Sequence, residues 1–224
     1  MSIPVVVVGA GGFGREVCDV IEAVNAAGSI QIELLGVLDD SPSESNLQLL
    51  EKRGMNFLGS TEEFLTQNHG QGIAYFIGIG APAIKRKIDE AFRAAGFTTI
   101  PLVHPDSTIG SRVKVAGGAV ICAGARLTTN ISVGSHVHIN INATVGHDVT
   151  IGDYVSVNPL AAVSGDVVLE AGVLIGASAF VMQGVNVGEG ATVGASACVT
   201  SDVFAGTTVI GVPARQLNRN GVHQ

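Results

Sequence analysis

His147 and Asp148 are neighbours in the sequence, within Val145-Gly146-His147-Asp148-Val149-Thr150. An imidazole can accept a proton during catalysis, and an adjacent carboxylate can orient it. Successive residues of a strand point to opposite sides, so the pair works together only if His147 lies at a corner of the chain. Two interpretations follow: a general base with its orienting acid, or a solvent-facing histidine beside an acid.

A second candidate is a glycine-rich turn near the N-terminus. Gly9-Ala10-Gly11-Gly12-Phe13-Gly14 fits G-x-G-x-x-G between an apolar strand, residues 3–8, and an amphipathic helix from about Phe13 to Ala27. Such glycines bring backbone close to a ligand, and the N–H groups of a helix N-terminus attract an anion. Asp39 and Asp40 follow the next predicted strand and could accept hydrogen bonds from hydroxyl or amine groups. A simple strand-to-helix turn would also explain the glycines.

Basic residues follow a further predicted strand, residues 73–79. The strand ends in Gly78-Ile79-Gly80, Pro82 marks the start of a helix, and Lys85 and Arg86 lie in its first turns. Ligands of open α/β sheets bind at the carboxyl ends of the strands. Gly80 and the two basic residues are therefore candidates for binding a phosphate, and a solvated helix face is the alternative.

A six-residue repeat must position the histidine and its neighbours. It runs sixteen times without insertion from Ile109 to Phe204. The first position is always aliphatic, and a second small or branched apolar residue follows four positions later. A fixed period over about a hundred residues indicates a solenoid, whose units bury their apolar sides only against each other. One strand and one corner fit into six residues, so three units close a triangular coil.

The triangular coil predicts which residues are stacked, because each lies above the one eighteen positions earlier, at about the 4.8 Å spacing of neighbouring strands. Gly165 lies eighteen positions after His147, and Thr129 lies eighteen before it. The histidine would thus face a bare glycine backbone, whose N–H group could stabilise an oxyanion. His136 and His138 lie one edge earlier and are expected on the surface without a role.

The length of 224 residues indicates two domains. We assign residues 1–105 to an α/β domain, 106–210 to the solenoid and 211–224 to a polar tail, in which Pro213 would block strand pairing. Only about a hundred residues precede the repeat, which is enough for half a Rossmann unit and a mononucleotide but too few for a full dinucleotide fold.

Charge and hydropathy argue against several classes of partner. The net charge is −7, without a basic cluster, which disfavours nucleic acid. Mean hydropathy is +0.44, but glycine and polar residues interrupt every apolar run short of the ~20 residues of a membrane span. No secretory signal is visible, so a cytoplasmic protein is expected. Cys18, Cys122 and Cys198 are far apart and are expected to be reduced, packed thiols.

The hexapeptide, as in Ile151-Gly152-Asp153-Tyr154-Val155-Ser156, resembles that of the left-handed β-helix acyltransferases. The whole chain is similar to the sugar-nucleotide acetyltransferases related to the bacillosamine-pathway N-acetyltransferase and the sialic acid O-acetyltransferases. The stretches that carry this similarity are Gly9-Ala10-Gly11-Gly12-Phe13-Gly14, Leu38-Asp39-Asp40, Ile77-Gly78-Ile79-Gly80, Val103-His104-Pro105, Gly146-His147-Asp148-Val149-Thr150-Ile151-Gly152-Asp153 and Gly211-Val212-Pro213-Ala214-Arg215. It implies an α/β Rossmann-like half domain followed by a left-handed parallel β-helix.

The resemblance also implies roles for individual residues. His147 would be the general base, oriented by Asp148, and the first domain would bind a nucleotide-linked sugar. Acetyl-CoA would lie along the β-helix between the subunits of a homotrimer. The residues implied at acetyl-CoA are Asn140, Gly165, Gly176, Gly194 and Arg215, and those at the sugar nucleotide are Gly9, Gly11, Gly12, Phe13, Gly14, Asp39, Asp40, Gly80 and Arg86. Phe13 and Ser156 depart from the family pattern, in which histidines occur at these places, and leave the identity of the sugar open.

We therefore predict an acetyl-CoA-dependent N-acetyltransferase that acts on a nucleotide-linked 4-amino-deoxysugar, without a metal and by direct attack. A sugar O-acetyltransferase of the sialic acid type and a non-catalytic, ligand-binding β-helix are the alternatives. An NAD-linked reductase is disfavoured by the size of the first domain. A zinc-dependent hydratase is disfavoured by the unequal offsets of His136, His138 and His147 within the coil.

Overall fold

A computed structural model describes residues 2–28, 30–70 and 72–217 of the chain. It divides the chain into two compact units, Met1–Pro105 and Asp106–Gln224. None of the helices in the described stretches combines the length and the hydrophobicity that a membrane span requires.

The first unit is built on a short parallel sheet. Strands β1 (Ile3–Val8), β2 (Ile32–Leu38) and β3 (Ala74–Ile77) lie in the order β2-β1-β3. The other elements are α1 (Gly12–Ala27), α2 (Glu44–Lys52), α3 (Thr61–Gln67), α4 (Pro82–Ala94) and β4 (Leu102–Val103). Because the three strands are parallel, their carboxyl ends meet at one edge, which places the glycine-rich turn beside Asp39. This arrangement confirms the predicted Rossmann-like half domain.

Helix α4 packs on β3 through stacked aromatic rings, with the ring centroids of Tyr75 and Phe92 4.4 Å apart. The two basic residues proposed to bind a phosphate, Lys85 and Arg86, differ in burial. Arg86 is exposed, whereas Lys85 is completely buried, and burial lowers the pKa of its amine to about 7. Lys85 therefore does not lie on the outer face of the helix, and the expectation that it binds a phosphate there is wrong. The spacing of the apolar residues did not distinguish it from Arg86.

The second unit is a parallel solenoid of very short strands. One face contains β7 (Val120–Ile121), β10 (His138–Ile139), β13 (Ser156–Val157), β16 (Leu174–Ile175), β19 (Thr192–Val193) and β21 (Thr208–Ile210). The next contains β5 (Thr108–Ile109), β8 (Arg126–Leu127), β11 (Thr144–Val145), β14 (Ala162–Val163), β17 (Phe180–Val181) and β20 (Cys198–Val199). The third contains β6 (Lys114–Val115), β9 (Ser132–Val133), β12 (Thr150–Ile151), β15 (Val168–Leu169) and β18 (Asn186–Val187).

The register of these strands is the one that the hexapeptide predicts. Thr144 pairs with Arg126 on one side and with Ala162 on the other, each eighteen residues away. First-position side chains such as Val145 and Val163 are buried inside the coil. Ile109 is 38% exposed, because the first coil has a neighbouring coil on one side only. The predicted parallel β-helix is therefore confirmed.

Each corner of the coil is turned by one residue with positive φ. These residues occupy the fourth position of the first fifteen hexads, from Arg112 (φ 59°) to Ser196 (φ 57°). Asn130, Asn142 and Asp148 are among them, with φ of 56°, 56° and 60°, and asparagine and aspartate tolerate this left-handed conformation better than most residues. Asp148 is thus a corner residue, which is the condition for its contact with His147.

Two regions differ from expectation. His136 and His138 are buried, each 1% exposed, and not on the surface; the ring of His136 lies parallel to that of Tyr154, with centroids 6.0 Å apart. After the last coil, β22 (Arg215–Gln216) pairs antiparallel with β21, so strand pairing resumes directly after Pro213. Proline ends the parallel ladder but does not prevent the chain from folding back. Residues 218–224 of the expected tail lie outside the described residues.

The solenoid register can be tested at Val163, which is 2% exposed. Val163→Asp places an unpaired charge in an apolar core, a change that costs several kcal/mol, so we expect no soluble folded protein. Thr150→Asp places the same charge on an exposed, outward-pointing strand position and should leave the far-UV circular dichroism and the melting temperature nearly unchanged. A soluble Val163→Asp protein with the melting temperature of the parent would show that the register is wrong.

Candidate active site

His147 stands just before a corner of the coil, and Asp148 turns that corner. His147 Nδ1 and Asp148 Oδ2 lie 2.8 Å apart, and both side chains are about half exposed, at 49% and 47%. The left-handed backbone at Asp148 brings two successive side chains to the same side, which an extended strand does not allow. Because Nδ1 is bound, Nε2 is the nitrogen that faces a reaction partner.

Asn130 holds the other oxygen of the Asp148 carboxylate. Its Nδ2 donates to Asp148 Oδ1 over 3.0 Å. The hydrogen bonds from His147 and from Asn130 hold the pKa of the Asp148 carboxyl below its usual value. Asn130 was missed from the sequence, although it lies eighteen positions before Asp148 and the same spacing led to Gly165.

Gly165 lies directly against the His147 ring, as the eighteen-residue spacing predicts. A Cβ atom added at Gly165 would lie 2.5 Å from both Cε1 and Nε2 of the ring. Only a glycine therefore leaves room for the imidazole in this position. Within the described part of the chain, the Gly165 N–H donates to no acceptor, so a base and a free N–H donor lie side by side.

A second carboxylate, also missed from the sequence, lies at the corresponding corner of the next coil. Asp166 comes eighteen positions after Asp148, and its Oδ2 accepts from Gln183 Nε2 over 2.9 Å. The imidazole and the two carboxylates lie within 4.8 Å of one another, and within the described ranges they form the only such set of His, Cys and acidic groups. It contains neither His136 nor His138, which the zinc hypothesis requires.

Asn140, Gly176 and Gly194 lie on a different edge from His147. They occupy the second hexad position after β10, β16 and β19, whereas His147 follows β11 on the adjoining face. Asn140 is buried and donates to Val157 O over 3.0 Å. A Cβ at Gly176 would lie 2.5 Å from Ala195 N, and one at Gly194 would lie 2.7 Å from Ile210 Cγ2. Close packing within the coil is therefore enough to explain glycine at positions 176 and 194.

Arg215 lines a cavity of about 380 Å³ at the end of the solenoid. Residues 199–204, Thr207, Val209 and residues 214–216 form its walls. The Arg215 guanidinium is exposed and donates to Ala214 O over 2.8 Å. The side chain thus leaves most of its donors for a ligand.

The glycine-rich turn divides into packing glycines and open ones. Gly9 has φ 116°, and a Cβ at Gly14 would lie only 1.7 Å from Gly9 O, so strand and helix pack too closely there for any side chain. Gly11 and Gly12 have no atom within 4 Å of an added Cβ. The strand-to-helix turn explains Gly9 and Gly14 but leaves Gly11 and Gly12 facing open space at the N-terminus of α1. Phe13, next in the chain, is partly buried.

Asp39 and Asp40 have partners within the protein. Asp39 Oδ2 accepts from Ala10 N over 2.7 Å and so holds the glycine-rich turn. Asp40 Oδ1 accepts from Thr61 N over 2.7 Å, at the start of α3. Arg15 was missed from the sequence, and its Nη1 donates to Ala10 O over 2.8 Å. Asp39 and Arg15 thus fix the turn from two sides.

Gly80 and Arg86 lie after β3, at the same edge of the sheet as the glycine-rich turn. Both are exposed, and an added Cβ at Gly80 would have no atom within 4 Å. Like Gly11 and Gly12, Gly80 thus leaves backbone accessible at the carboxyl ends of the strands. The geometry allows these residues to approach a ligand.

The three cysteines differ in burial and in the element that carries them. Cys18 is buried in α1, and burial raises the pKa of its thiol to about 12. Cys122 is also buried. Cys198 is partly exposed on β20, three coils beyond the strand that precedes His147. The described part of the solenoid therefore offers no thiolate beside the candidate base.

Comparison with known proteins supports one family. Residues 4–92 match the PglD N-terminal domain. GDP-perosamine N-acetyltransferase from Escherichia coli O157:H7 is 32% identical over 75 residues, which span 33% of this chain and 34% of that relative. The match thus spans about a third of the length of the curated relative.

Solved structures extend the similarity to both units. The acetyltransferase domain of PglB from Neisseria gonorrhoeae FA1090 superposes with a TM-score of 0.87 and 30% identity, over 96% of this chain and 100% of that one. The chain belongs to the PglD-type sugar acetyltransferases. The same PglB domain in complex with acetyl coenzyme A gives 0.85 and 29% identity over 97% and 100% of the two chains. PerB from Caulobacter crescentus, in complex with CoA and GDP-perosamine, gives 0.84 and 27% identity over 96% and 97%.

The candidate site can be tested at Gly165. Gly165→Ala forces the His147 ring to move and should lower kcat about 10- to 100-fold, because small displacements of a catalytic group are costly. The backbone accepts the change, since alanine occupies the same hexad position at Ala123, Ala177 and Ala195. The melting temperature should shift by less than about 3 °C. Unchanged kcat in steady-state assays would mean that the ring position seen here is not the productive one.

Proposed function

We propose that the protein transfers the acetyl group of acetyl-CoA to the 4-amino group of a nucleotide-linked deoxysugar. One observation carries this proposal: the His147 imidazole is held at Nδ1 by Asp148 and lies against the backbone of Gly165, whose N–H has no acceptor among the described residues. Acyl transfer from a thioester to an amine requires a proton acceptor and a donor to the developing oxyanion.

The proposed step is direct. The neutral amine of the sugar attacks the thioester carbonyl carbon while His147 Nε2 accepts one of its protons. The carbonyl oxygen becomes an oxyanion and accepts a hydrogen bond from Gly165 N–H. The C–S bond then breaks, and the CoA thiolate leaves with the proton that the imidazolium returns. Asp148 stays ionised throughout and stabilises the imidazolium.

The first unit would bind the nucleotide. The open backbone at Gly11 and Gly12 and the N-terminus of α1 suit a diphosphate, and exposed Arg86 supplies a charge on the same edge of the sheet. Asp39 would act chiefly by holding the turn through Ala10 N–H. A guanosine nucleotide is favoured because two of the reported relatives carry GDP-perosamine in their names or complexes.

Acetyl-CoA would lie along the solenoid in a homotrimer. The choice of acetyl-CoA as the ligand is supported by the complex of the similar PglB domain with acetyl coenzyme A. Asn140 lies one edge away from His147 within a single chain, so the two could meet only across a subunit boundary. Exposed apolar side chains at Ile141, Leu160 and Met182 favour burial of this region between copies. Arg215, at the cavity, would contact CoA phosphates.

His147→Ala tests the proposed base. Because the ring lies outside the coil, the variant should keep its fold and its affinity for acetyl-CoA, while kcat falls by roughly 10²–10⁴. Release of CoA thiol is followed with GDP- and UDP-linked 4-amino sugars and with the matching 4-hydroxy sugars, from pH 6 to 9. We expect turnover of an amino sugar but not of its hydroxy counterpart.

Two results would overturn the proposal. Near-parental turnover by His147→Ala across this pH range would remove the base from the mechanism. Turnover of the hydroxy sugars in preference to the amino sugars would make the protein an O-acetyltransferase. Asp148→Asn is the matched variant, since it keeps the shape of the side chain and should lower kcat less than His147→Ala does.

A further inference from the structure

The carboxylate that orients His147 is itself held by a side chain from the preceding coil. Asn130 Nδ2 lies 3.0 Å from Asp148 Oδ1, and His147 Nδ1 lies 2.8 Å from Asp148 Oδ2. Asn130, Asp148 and His147 thus form a chain in which each carboxylate oxygen has one fixed donor. Two fixed donors leave the carboxylate a single orientation, with Oδ2 toward the imidazole.

Without the Asn130 hydrogen bond, neither burial nor a neighbouring cation would fix the Asp148 carboxylate. Its side chain is 47% exposed, and no lysine or arginine lies beside it in the described residues. The corresponding corner of the next coil carries Asp166, whose carboxylate lies within 4.8 Å of the His147–Asp148 pair. Repulsion between the two carboxylates would turn Asp148 away from His147 unless a donor on the opposite side fixed it.

We infer that Asn130 is a positioning residue of the acetyl transfer: it acts through Asp148 to keep His147 in its reactive orientation. The inference rests on the proposed function. Asparagine could also occur at position 130 only because it tolerates the positive φ of 56° at this corner. Asn142 has the same φ of 56° at a corner of a different edge and does not contact Asp148. It therefore serves as a control that has the backbone role of Asn130 without its hydrogen bond to Asp148.

The first experiment does not depend on turnover. Asn130→Gly removes the donor while keeping a residue that adopts positive φ freely, and Asn142→Gly makes the same change at the control corner. The carboxyl pKa of Asp148 is followed by ¹³C NMR in selectively labelled protein. We expect it to rise in Asn130→Gly and to stay at the parental value in Asn142→Gly. An unchanged Asp148 pKa in Asn130→Gly would overturn the inference.

The second experiment is a double-mutant cycle on the turnover of the best amino sugar. Asn130→Gly should lower kcat about twofold to tenfold, the range of one ordinary hydrogen bond, with KM for acetyl-CoA unchanged. In an Asp148→Ala background the same substitution should have no effect on kcat, because the group through which it acts is gone. A merely structural role would lower kcat equally in both backgrounds.

The outcomes separate this inference from the proposed function. If Asn130→Gly shifts the Asp148 pKa but the parent acetylates none of the sugars, the hold on Asp148 stands and the proposed function fails. If the parent acetylates an amino sugar and Asn130→Gly retains its full kcat, the proposed function stands and the positioning role fails. Equal losses in the parental and Asp148→Ala backgrounds would also overturn the positioning role.

Discussion

A backbone hydrogen bond links each corner residue from Asn130 to Ser196 to the coil below, and the candidate active site depends on it. Asp148 N donates to Thr129 O over 3.0 Å, and Asp166 N donates to His147 O over 2.8 Å. The same bond recurs at corner after corner, and its donor is the residue with positive φ each time. It fixes the rise between coils and therefore which side chains meet.

That constraint brings together side chains that are distant in sequence. It sets His147 against Gly165 and sets Asp148 between Asn130 and Asp166, each pair eighteen residues apart. The left-handed corner adds the second requirement, since it alone lets His147 and Asp148 point to the same side. A regular backbone thus builds a site from three coils without any inserted loop. Because the backbone repeats from corner to corner, the side chains are what distinguish the His147 corner from the others.

The sequence predicted the solenoid, its register and the approach of His147 to Gly165, because an exact period leaves no freedom in pairing. The same spacing applied to Asp148 would have found Asn130 and Asp166. The sequence pattern did not predict that His136 and Lys85 are buried, since a period gives the direction of a side chain and not what packs on it.

The roles of Asp39 and Asp40 depend on contacts that no local pattern encodes. Asp39 binds the N–H of Ala10 from an earlier segment, and Asp40 binds that of Thr61 at a later helix. The sequence therefore identified the edge of the sheet that carries the two acids, but not which groups they hold. Gly11 and Gly12 were distinguished from Gly9 and Gly14 only by the space around each, which requires coordinates.

The central claim is that the coil brings base and oxyanion donor together so that the acetyl group passes directly to its acceptor. It is tested by mixing the protein with acetyl-CoA alone, quenching in acid and measuring the intact mass. The account predicts an unchanged mass and, once an amino sugar is added, release of CoA and acetylated sugar at the same rate in the first turnover. A protein carrying one acetyl group, with a burst of CoA before any acceptor is present, would contradict it.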